Sequence, residues 1–406
     1  MSRLRHSRSI RRGARILLFV LLAFSAGCAT TGRNGPARRA LRHLPKVPEG
    51  QLRADRAILA AFFAANGARI SDEQIARIIP PSAPQGSMDR SAFRSIAGSK
   101  GFVLTVVKAD ERFLWEELKR NRPLLVLLPP DVHYSPAAAA FIPVAWDQAN
   151  HVVELLDGNG EIQPIPEASF FARREPLKQA ALCLVRPGAL RRMKPTREQK
   201  LVLADFWFDQ GFYRRAQATY AALQEEALPG DADVEALVGR GNVLVRQGRF
   251  QAAIPLYRAA LVLEPDNPKI LNNLAYCLLH GDGELLAAMR HATKANRLDP
   301  DNPVILETLG SLNLRLGDAS LAAQYLERAW ASALQRPPEI QIAIMDQLIR
   351  AWYTAGRFDL AWQIVEHRHR QFPEYRFPDD VLHIFPVLRK PAEAFPEKSK
   401  KSIPED

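Results

Sequence analysis

Cysteine is scarce in this chain, with only Cys28, Cys183 and Cys277 among 406 residues. No cysteine or histidine spacing matches a zinc site, no HExxH pair occurs, and no glycine-rich loop is built to cradle phosphate. Zinc chemistry and nucleotide binding therefore have no motif, and the sequence implies neither metal nor cofactor. Cys183 lies in the strand-like run "AALCLV" and Cys277 in the helix-like "NNLAYCLL". Both read as small buried apolar residues rather than ligands or disulfide partners. Long apolar runs are wanting as well. "ILLFVLLAF", Ile16 to Phe24, has nine residues, whereas a spanning helix needs about twenty.

That short run has its own meaning. It follows "MSRLRHSRSIRRGAR", which carries six arginines and no acid, and it precedes small residues, the order of a secretory signal. Ser25 to Cys28, "SAGC", resembles the cleavage site of bacterial lipoproteins, although Ser25 stands where leucine is usual. The resemblance implies cleavage of residues 1–27, lipidation at Cys28 and attachment to a membrane. With Ala29 rather than aspartate after the cysteine, it implies an outer-membrane lipoprotein facing the periplasm. An ordinary signal peptide cut nearby, or an uncleaved anchor, is the alternative. Six of the eleven excess positive charges fall in residues 1–27. The mild excess left on the mature chain does not call for a nucleic-acid partner.

Hydrophobic residues at 47% and charged residues at 24% are ordinary for a globular protein, and the length suits two domains. From about Glu198 onward an internal period emerges. In "VEALVGRGNVLVRQGRFQAAIPLYRAALVLEPDN", Val234 to Asn267, small or apolar residues fall at Leu237, Gly241, Leu244, Gly248, Ala253, Tyr257, Ala260 and Pro265. The next stretch repeats the pattern with Leu271, Ala275, Leu278, Ala288, Ala292 and Pro300, and a third with Leu306, Gly310, Gly317, Ala322 and Ala329. Weaker units flank these, from Ala204 to Tyr220 and from Trp352 to Pro373. The pattern resembles the tetratricopeptide repeat, a pair of antiparallel helices. Small residues at the eighth and twentieth positions let the two helices approach, and each unit buries an apolar face on its neighbour. The resemblance implies an all-α solenoid whose first helices line a groove for a protein or an extended peptide. Asn242, Asn272, Asn273 and Asn313 are the candidate lining residues, because a carboxamide can both donate to and accept from a peptide backbone.

Between the signal and the repeats the patterning is mixed. "RAILAAFFAANG", "ISDEQIARIIPP" with Ser71 as cap, "GSMDRSAFRSIAGSKG" and "DERFLWEELKRN" read as helices. "FVLTVV", "PLLVLLP", "HVVELLD" and "AALCLV" read as strands. Helices followed by a sheet make an α+β domain.

Several phrases in this half resemble the papain-like cysteine peptidases that process bacteriocin leaders at double-glycine sites. They are "NG" at Gly67, "QGS" at Gly86 and Ser87, "KGF" at Gly101, and "NHVVELLDGNG" with His151. The family opens its first helix with Cys-Gly-Pro, and counting back from Gly67 places that triplet on Ala54, Asp55 and Arg56. The family's oxyanion glutamine falls on Pro48, and no aspartate or asparagine stands clearly where His151 would need an orienting partner. Alanine supplies no thiolate, Cys183 lies late in the domain, and Ser87 reads as a turn residue. The resemblance implies a degenerate, inactive peptidase domain that retains His151. The alternative is an active peptidase with an unidentified nucleophile.

The expected organisation is a signal at 1–27, a linker at 28–47, the papain-like domain at 48–190, about five repeats at 191–376 and a disordered tail at 377–406. The basic stretch Arg186 to Pro195 reads as a solvated linker.

Overall fold

The computed structural model describes residues 38–44, 46–47, 52–84, 87–129, 139–226, 233–281, 283–334 and 336–389. Cys28, Pro48, Gly86 and the signal lie outside the described residues. The chain divides into two compact units. One holds residues up to Phe93 together with Val106–Leu184, and the other holds Arg94–Thr105 with Val185 onward.

The first unit begins earlier than its sequence suggests. Arg38–Ala40 form strand β1, antiparallel to β4 (Ala139–Asp147). The amide of Leu41 continues the pairing by donating to the Val144 carbonyl, and its side chain is buried. Residues 38–41 are therefore part of the fold and not a linker.

Helix α1 (Ala54–Ala65) buries Ile58, Leu59, Phe62 and Phe63. Helix α2 (Asp72–Ile78) starts on a reciprocal cap, Ser71 accepting from the Gln74 amide and Gln74 from the Ser71 amide, as its sequence predicts. Helix α3 (Arg90–Ser99), strand β2 (Val103–Lys108) and helix α4 (Glu111–Lys119) follow, and then β3 (Leu125–Leu128). Beyond β4 come β5 (Val152–Leu156), β6 (Ile162–Pro166), helix α5 (Glu167–Arg174) and β7 (Ala180–Val185). The sheet order is β2-β7-β3-β4-β5-β6, with β1 also on β4. The pairs β1–β4, β3–β4, β3–β7, β4–β5 and β5–β6 are antiparallel.

The four strands expected from sequence are present, and β1, β4 and β6 are additions. Proline hid two of them. Pro143 sits in the middle of β4, where the register against β5 shifts between Pro143 and Ala145. A bulge tolerates the missing amide. Pro164 and Pro166 lie in β6, at the end of the sheet order, where one side of the strand needs no ladder bonds.

The second unit is dominated by five helix pairs. They are α7 (Arg197–Asp209) with α8 (Tyr213–Glu226), α9 (Val234–Arg246) with α10 (Phe250–Leu263), and α11 (Pro268–His280) with α12 (Leu285–Leu298). The last two are α13 (Pro303–Leu316) with α14 (Ala319–Ala333), and α15 (Pro338–Thr354) with α16 (Phe358–Gln371). Two short helices flank the array, α6 (Pro187–Arg192) before it and α17 (Asp379–Ile384) after it. Each pair packs together and on the next, so that Ala253, Tyr257, Leu274, Ala288, Ala292 and Leu309 share one continuous core.

The borders of this array correct three expectations. Arg186 to Pro195 is not a solvated linker, because α6 buries Leu190 completely. The first unit, expected to run from 48 to 190, does not reach residue 190, since the division falls after Leu184. The described part of the tail is ordered. Phe377, Val381, Leu382 and Leu388 pack on Ile349 and Val365 of the last repeat, a terminal cap that its Pro- and Lys-rich surroundings disguised. Residues 390–406 lie outside the described residues.

Candidate functional site

The start of α1 is where the resemblance would place a nucleophile. Ala54 opens the helix, and its backbone is pressed against Gly158 in the turn between β5 and β6. A Cβ at position 158 would stand 1.9 Å from the Ala54 carbonyl oxygen, so only glycine fits there. The neighbouring side chains are spent on scaffolding. Arg53 donates to the carbonyls of Pro81 and Ala83 and pairs with Asp55, while Arg56 donates twice to the Ile79 carbonyl. Asp157, beside Gly158, is buried and accepts from the amides of Asn159 and Glu161 and from Gln163 Nε2.

His151 lies elsewhere. It sits in the turn before β5 with φ of 53°, and its side chain is 81% exposed. From His151 to Leu156 the strand extends for roughly 17 Å at about 3.3 Å per residue, and Gly158 is farther still. The structure therefore does not bring Ala54 and His151 together. The carboxylate that could orient His151 is Glu167, whose Oε2 is 3.4 Å from Nδ1 and also accepts from Trp146 Nε1 at 3.1 Å. Sequence reasoning missed it because a glutamate at a helix start, after two prolines, reads as a helix-dipole partner. The pair joins the exposed turn of His151 to the first residue of α5, away from Ala54. Cys183 does not fill the nucleophile's role, since burial pushes its thiol up to about 12. Cys277 is buried likewise, its thiol also up to about 12. Both match the reading of buried apolar residues. Among the described residues no cluster of histidine, cysteine or carboxylates could hold a metal.

The repeats offer a better-formed surface. Their first helices form a row, α7 packing on α9, α11 on α13 and α13 on α15. The four candidate asparagines divide into two kinds. Asn242 and Asn273 are half-buried and joined across successive repeats, Asn273 Nδ2 donating to Asn242 Oδ1 at 3.2 Å. The Tyr257 hydroxyl donates to the same oxygen at 2.7 Å. Asn272 and Asn313 are each only 5% exposed, so they do not present an open polar surface. Asn313 Nδ2 turns back onto the Leu309 carbonyl at 2.8 Å, and the Asn272 Oδ1 has no hydrogen-bond partner.

Tyr276 and Glu307 belong to the same row and were missed from sequence. Aligning "PKILNNLAY" with "PVILETLGS" places Glu307 under Asn272, the signal that would have found it. Burial raises the Tyr276 phenol, with the nearby Glu307 carboxylate adding to the effect. Burial also pushes the Glu307 carboxyl upward.

Comparison with known proteins bears on the repeats. The tetratricopeptide-repeat family model matches residues 205–268 and 238–303. A TPR repeat-containing thioredoxin of Arabidopsis thaliana is 37% identical over 95 residues, which are 23% of this chain and 14% of that protein. The chain thus spans about one seventh of that relative's length. Among solved structures, a thermophilic TPR protein of Thermus thermophilus aligns at 20% identity with a TM-score of 0.39 over 48% of this chain and 99% of its own. MamA (residues 41 to the end) from Desulfovibrio magneticus RS-1 aligns at 21% identity and a TM-score of 0.32, covering 36% of this chain and 81% of its own. The helix pairs, their spacing and the family match agree: residues 205–303 are tetratricopeptide repeats within a C-terminal, all-helical solenoid of that kind.

Proposed function

We propose that this protein is an exported, lipid-anchored binding or assembly factor whose repeats hold an extended segment of another protein. Tetratricopeptide repeats generally mediate protein–protein binding. The observation that carries the finer reading is the Asn242–Asn273 pair. Because Asn242 Oδ1 is taken by Tyr257 and Asn273, its Nδ2 is left to donate outward, and Asn273 is left with Oδ1 to accept. One donor beside one acceptor complements one peptide unit of an extended chain.

Anchoring at Cys28 in the outer membrane, on the periplasmic side, rests on the resemblance of residues 16–28 to a lipoprotein signal. The N-terminal unit is, in this reading, a papain-like domain that has lost its chemistry and serves as a structural or binding module. Ala54 at the nucleophile position, and the distance to His151, argue against the rival reading of an active peptidase.

Two experiments test these parts separately. Incorporation of an alkyne-tagged fatty acid into the wild type but not into Cys28→Ser supports the anchor, and labelling of neither, or of both equally, refutes it. Binding of capped extended peptides to the full-length chain, measured by fluorescence anisotropy, is expected to weaken about tenfold in Asn242→Ala/Asn273→Ala. Affinity unchanged by the double substitution would remove the groove reading.

A further inference from the structure

We infer that the first repeat carries a second binding site, a basic trough between α7 and α8 that takes an acidic segment of a partner protein. The trough lies apart from the row of first helices on which the groove reading rests, so either can fail without the other.

A cavity of about 470 Å³ opens along this helix pair. Its wall on α8 is Arg215, Ala218, Ala222 and Glu226, which follow one face of the helix at spacings of three and four. Arg215 and Glu226 are eleven residues apart, about 16 Å at 1.5 Å per residue. Ala218 and Ala222 put only a methyl group each into the space between, and Trp207 of α7 forms the floor. Arg215 holds the place that Ala252, Ala287, Leu321 and Leu360 hold in the later repeats, just before the alanine at the twentieth position. Ala252 and Ala287 pack against the shared core, whereas Arg215 is exposed. Asp205 is the counterpart of Asn242, since each accepts from the tyrosine of its own repeat, Tyr220 at 2.6 Å and Tyr257 at 2.7 Å. It lines a different hollow, with Asp209 and Arg94, so the trough is not part of the asparagine row.

The charge around the trough is of one sign and unspent. Arg191, Lys200, Arg214 and Arg215 line it against a single carboxylate, Glu226, and Lys200 takes that carboxylate. Among the described residues the side chains of Arg191 and Arg214 have no ion pair, hydrogen bond or ring contact. The Arg215 guanidinium lies over Trp207 at 4.7 Å and over Phe212 at 5.3 Å. Stacking fixes its plane and leaves its N–H edge free to grip a carboxylate through two bonds. Arg214 and Arg215 also stand in the first turn of α8, which holds no acid. Cations there oppose the helix dipole. Solubility alone does not demand that cost, because either sign of charge keeps an exposed face in water. An anion seated between the arginines removes it. The shape selects a peptide among anions. About 16 Å matches roughly five extended residues at 3.3 Å each, far longer than one phosphate group. A trough sunk between two helices also differs from the flat face that a bilayer would meet.

The test uses the full-length chain and rhodamine-labelled, amidated heptapeptides in which leucine alternates with glutamate, glutamine or lysine, read by fluorescence anisotropy. The glutamate peptide is expected to bind at least about tenfold tighter than the glutamine peptide, and the lysine peptide more weakly than either. Arg214→Gln/Arg215→Gln is expected to shrink that advantage to within about twofold, whereas Asn242→Ala/Asn273→Ala leaves it intact. Arg290→Gln/Arg297→Gln removes the same charge from exposed places on α12 and is expected to leave it intact as well. An advantage that is absent, that survives Arg214→Gln/Arg215→Gln, or that falls as far in either of the other double variants overturns the trough. Ala218→Trp fills the trough without altering a charge, and it decides if the arginine variant melts below the assay temperature. Loss of glutamate-peptide binding in Ala218→Trp supports the trough, and unchanged affinity overturns it. Arginine-dependent binding to phosphatidylglycerol vesicles, with no peptide bound, would overturn the peptide ligand and make this face a membrane contact.

Discussion

The hydroxyl of Tyr257 donates to Oδ1 of Asn242 at 2.7 Å, tying the second helix of one repeat to the first. Tyr257 is 1% exposed, so a core residue dictates which way a surface amide points. Tyr257→Phe keeps the ring and deletes the donor. It is expected to cost about 0.5–1.5 kcal/mol, the ordinary net worth of one such bond, read as a lower denaturation midpoint. Peptide affinity falls as well, since the Asn242 amide is then free to turn over.

Gly241 makes the approach of Tyr257 possible. A Cβ there would stand 2.7 Å from the tyrosine ring. Gly241→Ala gains about 1 kcal/mol of helix propensity but forces a rigid buried ring to move, which costs about 1–3 kcal/mol. The clash is expected to win, and urea denaturation is expected to show a less stable variant. A more stable one would mean that the helices separate freely here.

Ala54→Cys restores the residue that a papain-like reading requires. It is not expected to create a peptidase, because His151 stands at the opposite end of β5 from Gly158, which packs on Ala54. Hydrolysis of double-glycine peptides by the variant should not exceed that of the wild type. A rate that rises and then vanishes with His151→Ala would show that the two ends meet.

Glu307 supplies a pH dependence. Burial holds its folded carboxyl above its unfolded value, so the folded state binds this proton more tightly. The associated stability is present below the unfolded value, about 4.3, and is lost as pH rises through the higher folded value. Glu307→Gln is therefore expected to melt above the wild type at pH 7.5 and level with it near pH 4. A variant less stable than wild type at pH 7.5 would mean that the carboxylate is satisfied within the fold.

Truncation before Phe377 removes the terminal cap. Val381, Leu382 and Leu388 leave Ile349 and Val365 uncovered, and the Arg350–Asp380 pair is lost. At about 1.5–3 kcal/mol for each large buried side chain, the last repeat is expected to lose at least about 3 kcal/mol. Limited proteolysis should then cut within residues 338–371 first.

The repeats were legible in the sequence because their information is local. Small residues at Gly241, Ala253 and Ala260, and helix-starting prolines at Pro268 and Pro303, recur at one period and act within one helix pair or its neighbour. The first unit was harder to read. Its helices and four of its strands follow from composition, but β4 and β6 carry prolines that argue against strands until a bulge and a sheet end excuse them.

The site divides along the same line. The sequence by itself determined a row of first helices with asparagines upon it, the absence of a cysteine at Ala54, and buried, unreactive places for Cys183 and Cys277. Only the tertiary structure decided which asparagines stay partly accessible. Asn242 and Asn273 meet across repeats, while their neighbours Asn272 and Asn313 are buried, a distinction of one helical step that composition does not carry. It also decided that His151 and Ala54 are apart, because a strand's two ends are adjacent in sequence and distant in space. The raised carboxyl of Glu307 likewise follows from its burial, a property of surroundings and not of a residue type.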